Sequence, residues 1–152
     1  MASYPKLNLP PVKLRASRHE GIDHVWDELR GCWLVLTPEE WVRRHVRGWL
    51  RSEQGVEPAV IMQEYPVSIE GMAQRADIVV ADNLQRPLLL VECKCVDVRI
   101  DGLVLDQAVR YNKVVGARYI MLTNGLRHYF YATYDGTSYV PLKEVPSLRS
   151  GI

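Results

Sequence analysis

The chain has 152 residues, 47% of them hydrophobic and 24% charged, with a formal net charge of +1. That length and apolar content suit one globular domain with a real core. No apolar run approaches the roughly 18 residues that span a bilayer, and the N-terminus lacks a signal-peptide core, so a cytoplasmic protein without a membrane partner is expected. The balanced charge excludes a global basic field, so any nucleic-acid contact must come from a local patch. The three cysteines, Cys32, Cys93 and Cys95, form no disulfide framework, and no CxxC marks a structural zinc site.

Residues 1–19 form the expected N-terminal arm. Its first 14 residues carry three prolines and no helical period, and read as extended chain. Residues 20–152 are expected to be a single domain. Its opening stretch, residues 20–36, reads as a short helix or turn and then a short strand. Thr37-Pro38-Glu39-Glu40 is a helix start: Thr37 as N-cap, Pro38 at the first helical position and Glu40 closing a capping box. This helix is expected to reach about Ser52, before Gly55 and Pro58. Three β-like runs follow, Val60–Glu64 (loosely to Val67), Ala76–Ala81 and Leu88–Val96, with a turn at Asp82-Asn83. A second helix fits Leu103–Val115 with Gly116 as its stop. Strands at Tyr119–Leu122, His128–Thr133 and Ser138–Val140 complete the chain. The order predicts an α/β domain with a mixed central sheet flanked by helices.

The run Leu88-Leu89-Leu90-Val91 is a buried-strand signature that Glu92 and Lys94 interrupt. Residues two apart on a strand share a face, so these two charges point the same way and need partners, solvent or a metal. A plain ion pair on a wet sheet face explains an isolated E-x-K triplet. Asp77, however, stands at the mouth of the preceding apolar run, and a hairpin sets it beside Glu92. Adjacent carboxylates repel unless a cation lies between them. Mg²⁺ suits such oxygen ligands, and Lys94 would then hold or deprotonate a water, or offset phosphate charge.

On the first helix Val42, Val46, Trp49 and Leu50 form one stripe. Glu39 falls inside it and Glu40 outside, so Glu39 is expected to aim inward, unless it only complements the helix N-terminus. Arg43, Arg44, Arg47 and Arg51 are expected together on the opposite side, as a solvated face or a grip on a phosphate backbone. Arg75, two residues before Asp77, is a further phosphate candidate or a surface ion pair. On the second helix Val104, Ala108, Tyr111 and Val115 form the buried stripe. Gln107 borders it and could orient a water, Lys94 or a phosphate. Asn112, Asn124 and His128 read as turn or surface residues, and Tyr129, Phe130, Tyr131 and Tyr134 as sheet packing.

Arg75-Ala76-Asp77-Ile78-Val79, fourteen intervening residues, then Glu92-Cys93-Lys94 resembles the PD-(D/E)xK nuclease superfamily. With Thr37-Pro38-Glu39-Glu40-Trp41-Val42-Arg43, Asp106-Gln107, Tyr111-Asn112 and Leu122-Thr123-Asn124-Gly125, the chain resembles the type I restriction enzyme R protein N-terminal domain family over about residues 20–135. The resemblance implies a restriction-endonuclease-like αβββαβ core. It implies Asp77, Glu92, the Cys93 carbonyl and Glu39 around Mg²⁺ (Mn²⁺ as substitute), Lys94 assisting the attacking water, and Gln107 as the family's second-helix glutamine. The implied activity is hydrolysis of DNA phosphodiesters. Cys95 departs from the small residue and proline that relatives carry there. With no GxxxxGK[ST], a motor would be a separate chain. A homodimer is compatible with the fold. Two competing readings stay open: a non-catalytic nucleic-acid-binding or assembly module, and an unrelated α/β protein with a structural ion network.

Overall fold

The computed structural model describes residues 4–149. Its centre is a six-stranded mixed sheet. The strands are β4 (Ile61–Ile69), β5 (Met72–Ala81), β6 (Pro87–Cys93), β7 (Tyr119–Thr123), β8 (His128–Ala132) and β9 (Val140–Leu142), in that spatial order. Only the β6–β7 pair is parallel, and its crossover is the helix α2 (Gly102–Val115). The helix α1 (Pro38–Ser52) precedes the sheet strands. This is the αβββαβ order of a restriction-endonuclease-like α/β fold, extended by β8 and β9.

The two helices cover opposite sheet faces, and side-chain alternation along the strands decides which residues each receives. Val42, Val46, Trp49 and Leu50 of α1 pack with Ile78, Val80, Leu89, Val91 and Met121. Val104, Ala108 and Tyr111 of α2 pack with Val79, Leu90, Ile120 and Leu122. Because β6 is covered on both sides, its Leu-Leu-Leu-Val run reads as continuously apolar. The helix ends follow local chemistry. Thr37 Oγ1 accepts from Glu40 N at 3.0 Å, Asp101 caps α2 through Leu103 N and Val104 N, and Gly116 takes the left-handed conformation (φ +77°) that ends it.

Residues 20–36 hold no helix. They contribute β2 (Ile22–Asp27) and β3 (Cys32–Val35) to a separate antiparallel sheet whose third strand is β1 (Ala16–His19). Hairpin pairing, with Trp26 opposite Trp33, overrides the mixed local signal. The end of the expected arm is thus an edge strand, while residues 4–15 run without regular structure except for a bend. That segment is held by Asn8 N donating to Gly125 O at 2.8 Å, by Trp41 Nε1 donating to Pro5 O and by buried Leu7. Strands β4 and β5 are longer than expected because their hairpin pairs through to Ile69–Met72. Strand β6 stops at Cys93, so Lys94 lies just past it, and β9 falls two residues later than expected. Among the described residues no helix is long and apolar enough to cross a membrane.

Candidate active site

The β5–β6 hairpin pairs Ile78 with Val91, and one step further Asp77 meets the end of β6. Cys93 N donates to Asp77 Oδ2 at 2.7 Å. Glu92, 4% exposed, is buried alongside, and its Oε1 has no hydrogen-bond partner. Burial and then the Asp77 charge push the Glu92 carboxyl up to about 8, against the opposing pull of Lys94. Lys94 leaves the strand end with its backbone N–H donating to Thr123 O. Its Nζ donates to Gln107 Oε1 at 3.2 Å, Gln107 Nε2 donates to the Tyr111 hydroxyl, and that hydroxyl donates to Gln74 Oε1 at 3.3 Å. Asp77, Glu92, Lys94 and Gln107 therefore assemble as expected. Tyr111 is a core residue whose hydroxyl is satisfied at the edge by this polar chain, four residues from Gln107 on one helix face.

The first turn of α1 closes the site differently from expectation. Glu39 does reach Asp77, and burial together with that charge raises its carboxyl, yet its side chain remains 43% exposed. Glu40 is the buried one. It makes no reciprocal capping bond but accepts from Arg43 Nη1 at 2.7 Å and Arg44 Nε at 3.1 Å. Arg43 Nη2 bridges Asp77 Oδ1 at 2.8 Å and Glu39 Oε1 at 3.1 Å. Burial opposes the Arg43 charge, but Asp77 and Glu40 outweigh it and hold the guanidinium firmly ionised. The expected three-acid cage is replaced by acids bridged through this arginine. Among the described residues no group of three or more His, Cys, Asp or Glu side chains is arranged to hold a metal ion.

The four-arginine face expected on α1 does not form either. Arg43, Arg44 and Arg47 are buried, and Arg51 alone is exposed. The helix is covered on that side by β2, whose Asp27 is fully buried. Asp27 accepts from Arg30 Nε and Gln63 Nε2 and lies 3.6 Å from Arg44 Nη2 and 3.5 Å from Arg47 Nη1. Beyond its neighbour Arg30, the partners of this acid come from β4 and α1, which the sequence pattern does not bring to it. Arg75 is exposed and pairs at 3.0 Å with Glu64, which lines a cavity of about 520 Å³ together with Glu39 and Arg43. Asn124 sits in the turn after β7, as expected, and Asn112 lies within α2; both are buried. Asn112 bonds Ala117 on both its amide atoms, and Asn124 donates to Val98 O.

The family model described as type I restriction enzyme R protein N terminus (HSDR_N) matches residues 38–146. The chain belongs to this family. The match takes in α1, the whole central sheet and α2, and hence all of the candidate site. The small β1–β3 sheet lies before the matched span, so Asp27 and its arginine contacts join that sheet to the restriction R-protein N-terminal fold. No curated protein matches the chain.

Proposed function

We propose that this protein is a Mg²⁺-dependent nuclease that hydrolyses DNA phosphodiesters. The observation that carries the reading is the meeting of Asp77, Glu92 and Lys94 at one strand end, with a buried carboxylate oxygen of Glu92 left without a partner. An orphan acceptor in a buried site calls for a proton or a cation. Mg²⁺ is commonly held by one or two carboxylates with substrate and water completing its shell, so Asp77 and Glu92 suffice without a third acid. The Cys93 carbonyl adds a neutral oxygen from the same strand end. A divalent ion here would supply Lewis-acid charge to the phosphate and acidify a neighbouring water. Gln107 and Tyr111 fix the Lys94 ammonium, which orients the water and offsets charge developing on the phosphate. Arg75, exposed and paired with Glu64 of the neighbouring cavity, would meet an incoming strand.

The Arg43–Asp77 ion pair favours one other reading, a non-catalytic module in which the guanidinium replaces the metal permanently. A cleavage panel separates the two. Single-stranded, duplex, flapped and branched DNA are incubated with and without Mg²⁺ or Mn²⁺. The nuclease reading expects metal-dependent cleavage that Lys94→Ala lowers by about 10²–10⁴-fold while calorimetric Mn²⁺ binding persists. Metal-independent DNA binding with no cleavage of any substrate would establish the non-catalytic module. Equal cleavage rates for Lys94→Ala and wild type would remove the role given to the lysine.

A further inference from the structure

A second site lies at the other end of α1. A cavity of about 630 Å³ opens between the N-terminal segment, β2 and the C-terminal half of the helix, lined by Lys13, Arg15, Arg44, Arg47 and Arg51 against the two carboxylates Glu28 and Glu57. Lys13, Arg15 and Arg51 are exposed at its mouth. Arg44 and Arg47 form its buried wall. The Arg44 side chain is 3% exposed and is paired with Glu40 at 3.1 Å and, through Nη2, with Asp27 at 3.6 Å. Arg47 Nη1 donates to Gln63 at 2.9 Å and lies 3.5 Å from Asp27, and Nη2 lies 3.9 Å from Glu28, itself largely exposed. Burial and the neighbouring Arg44 lower the pKa of Arg47, while Asp27, Glu28 and Glu40 oppose that shift.

Next to this cluster stands an aromatic wall. The Arg15 guanidinium lies 5.1 Å from the Trp26 ring centre and 5.3 Å from that of Trp33, and the two indoles meet edge to face at 5.4 Å. Trp33 is 41% exposed. Cations that track phosphates beside an indole face are the general apparatus for gripping a single nucleic-acid strand. Arg51 is eight residues beyond Arg43, about 12 Å along the helix axis, so a strand of a few nucleotides reaches both ends of α1.

We propose that the cavity and the adjoining Trp33 bind a single strand of nucleic acid, its phosphates against Arg15, Arg47 and Arg51 and a base against the indole. The assignment rests on the nucleic-acid substrate of the reading above but not on cleavage. A neutral peptide leaves the cation excess unmet, and a membrane surface offers no base for the indole.

The test is fluorescence polarisation of a labelled oligodeoxythymidylate of about 15 nucleotides, in EDTA. Wild type is expected to bind it without any divalent cation. Arg15→Glu with Arg51→Glu is expected to weaken binding at least tenfold and to flatten the slope of log affinity on log salt by about 1.4. Trp33→Ala is expected to weaken it about fivefold or more, with Trp33→Phe restoring most of the loss. If the double glutamate variant melts early, Arg15→Gln with Arg51→Gln replaces it. An unchanged affinity and slope in the arginine variants overturns the proposal. So does displacement of the strand by inorganic phosphate or deoxythymidine monophosphate at matching phosphate concentration, which would mark a small-anion site, and so does duplex binding as tight as strand binding and indifferent to Trp33. Cleavage with pocket-independent binding sinks this proposal alone; pocket-dependent binding without cleavage sinks the nuclease reading alone.

Discussion

Glu92 and Arg43 set the electrostatics of the candidate site between them. Glu92 keeps its proton in the folded protein up to about pH 8, whereas in the unfolded chain it loses it near the ordinary carboxylate value. Between those two limits the folded state binds more protons than the unfolded one. This group's contribution is therefore full below the unfolded value and falls away as pH rises through about 8. Glu92→Gln is expected to raise the stability of the metal-free protein at pH 8 and to leave it nearly unchanged at acid pH; urea denaturation of both proteins across that range measures the difference. Arg43 acts in the opposite sense. Removing one partner of a buried ion pair leaves an uncompensated charge, here on Asp77, at a cost of about 3–5 kcal/mol. Arg43→Gln should accordingly lower the thermal midpoint without metal and recover more of it with Mn²⁺ than wild type does. Equal Mn²⁺-induced shifts in the two proteins would show that the guanidinium and the ion do not share Asp77.

At the scale of elements, the turn after β7 joins the N-terminal segment to the site-bearing sheet. Gly125 has φ +88°, and a Cβ there would lie 2.8 Å from Leu7 Cδ2 and 3.2 Å from Val42 Cγ2. Both the backbone conformation and the close approach demand glycine. Gly125→Ala is expected to destabilise the fold by about 1–3 kcal/mol and to loosen residues 4–15, read as faster amide exchange at Asn8, whose N–H donates to Gly125 O. Full protection of Asn8 in that variant would contradict the coupling. The α1 boundary was legible from Thr37 and Pro38, and the α2 stop from Gly116, because caps are chemistry within a few adjacent residues. Hairpin lengths were less so: β4 and β5 extend to Ile69 and Met72 only because each supplies the other's hydrogen bonds.

For the whole molecule, divalent cation and fold should be linked. A ligand that binds only the folded state raises its stability by mass action. Mg²⁺ or Mn²⁺ is expected to raise the midpoint of wild type, and Asp77→Asn with Glu92→Gln to abolish the rise, measured by differential scanning calorimetry. A rise of the same size in the double variant would place the ion elsewhere. The two candidate surfaces sit at opposite ends of α1, one with Asp77 and the C-terminal end of β6 and one beside the small sheet. A single rigid helix thus holds them in register.

From α1 onward the order of elements, the apolar β6 and the nearness of Asp77, Glu92, Lys94 and Gln107 could be read from the chain itself. Period-2 and period-3.6 patterns, caps and the spacing of charges within one hairpin are local properties. Which acid of α1 is buried, what neutralises Asp77, and why three arginines turn inward could not be read there. The first two depend on Arg43 meeting Glu40 and Asp77 across the helix and sheet, and the inward turn of Arg44 and Arg47 depends on Asp27, supplied by a strand laid over α1 from an earlier part of the chain. Burying a charge is decided by its neighbours in space, and helix periodicity alone contains no information about those neighbours.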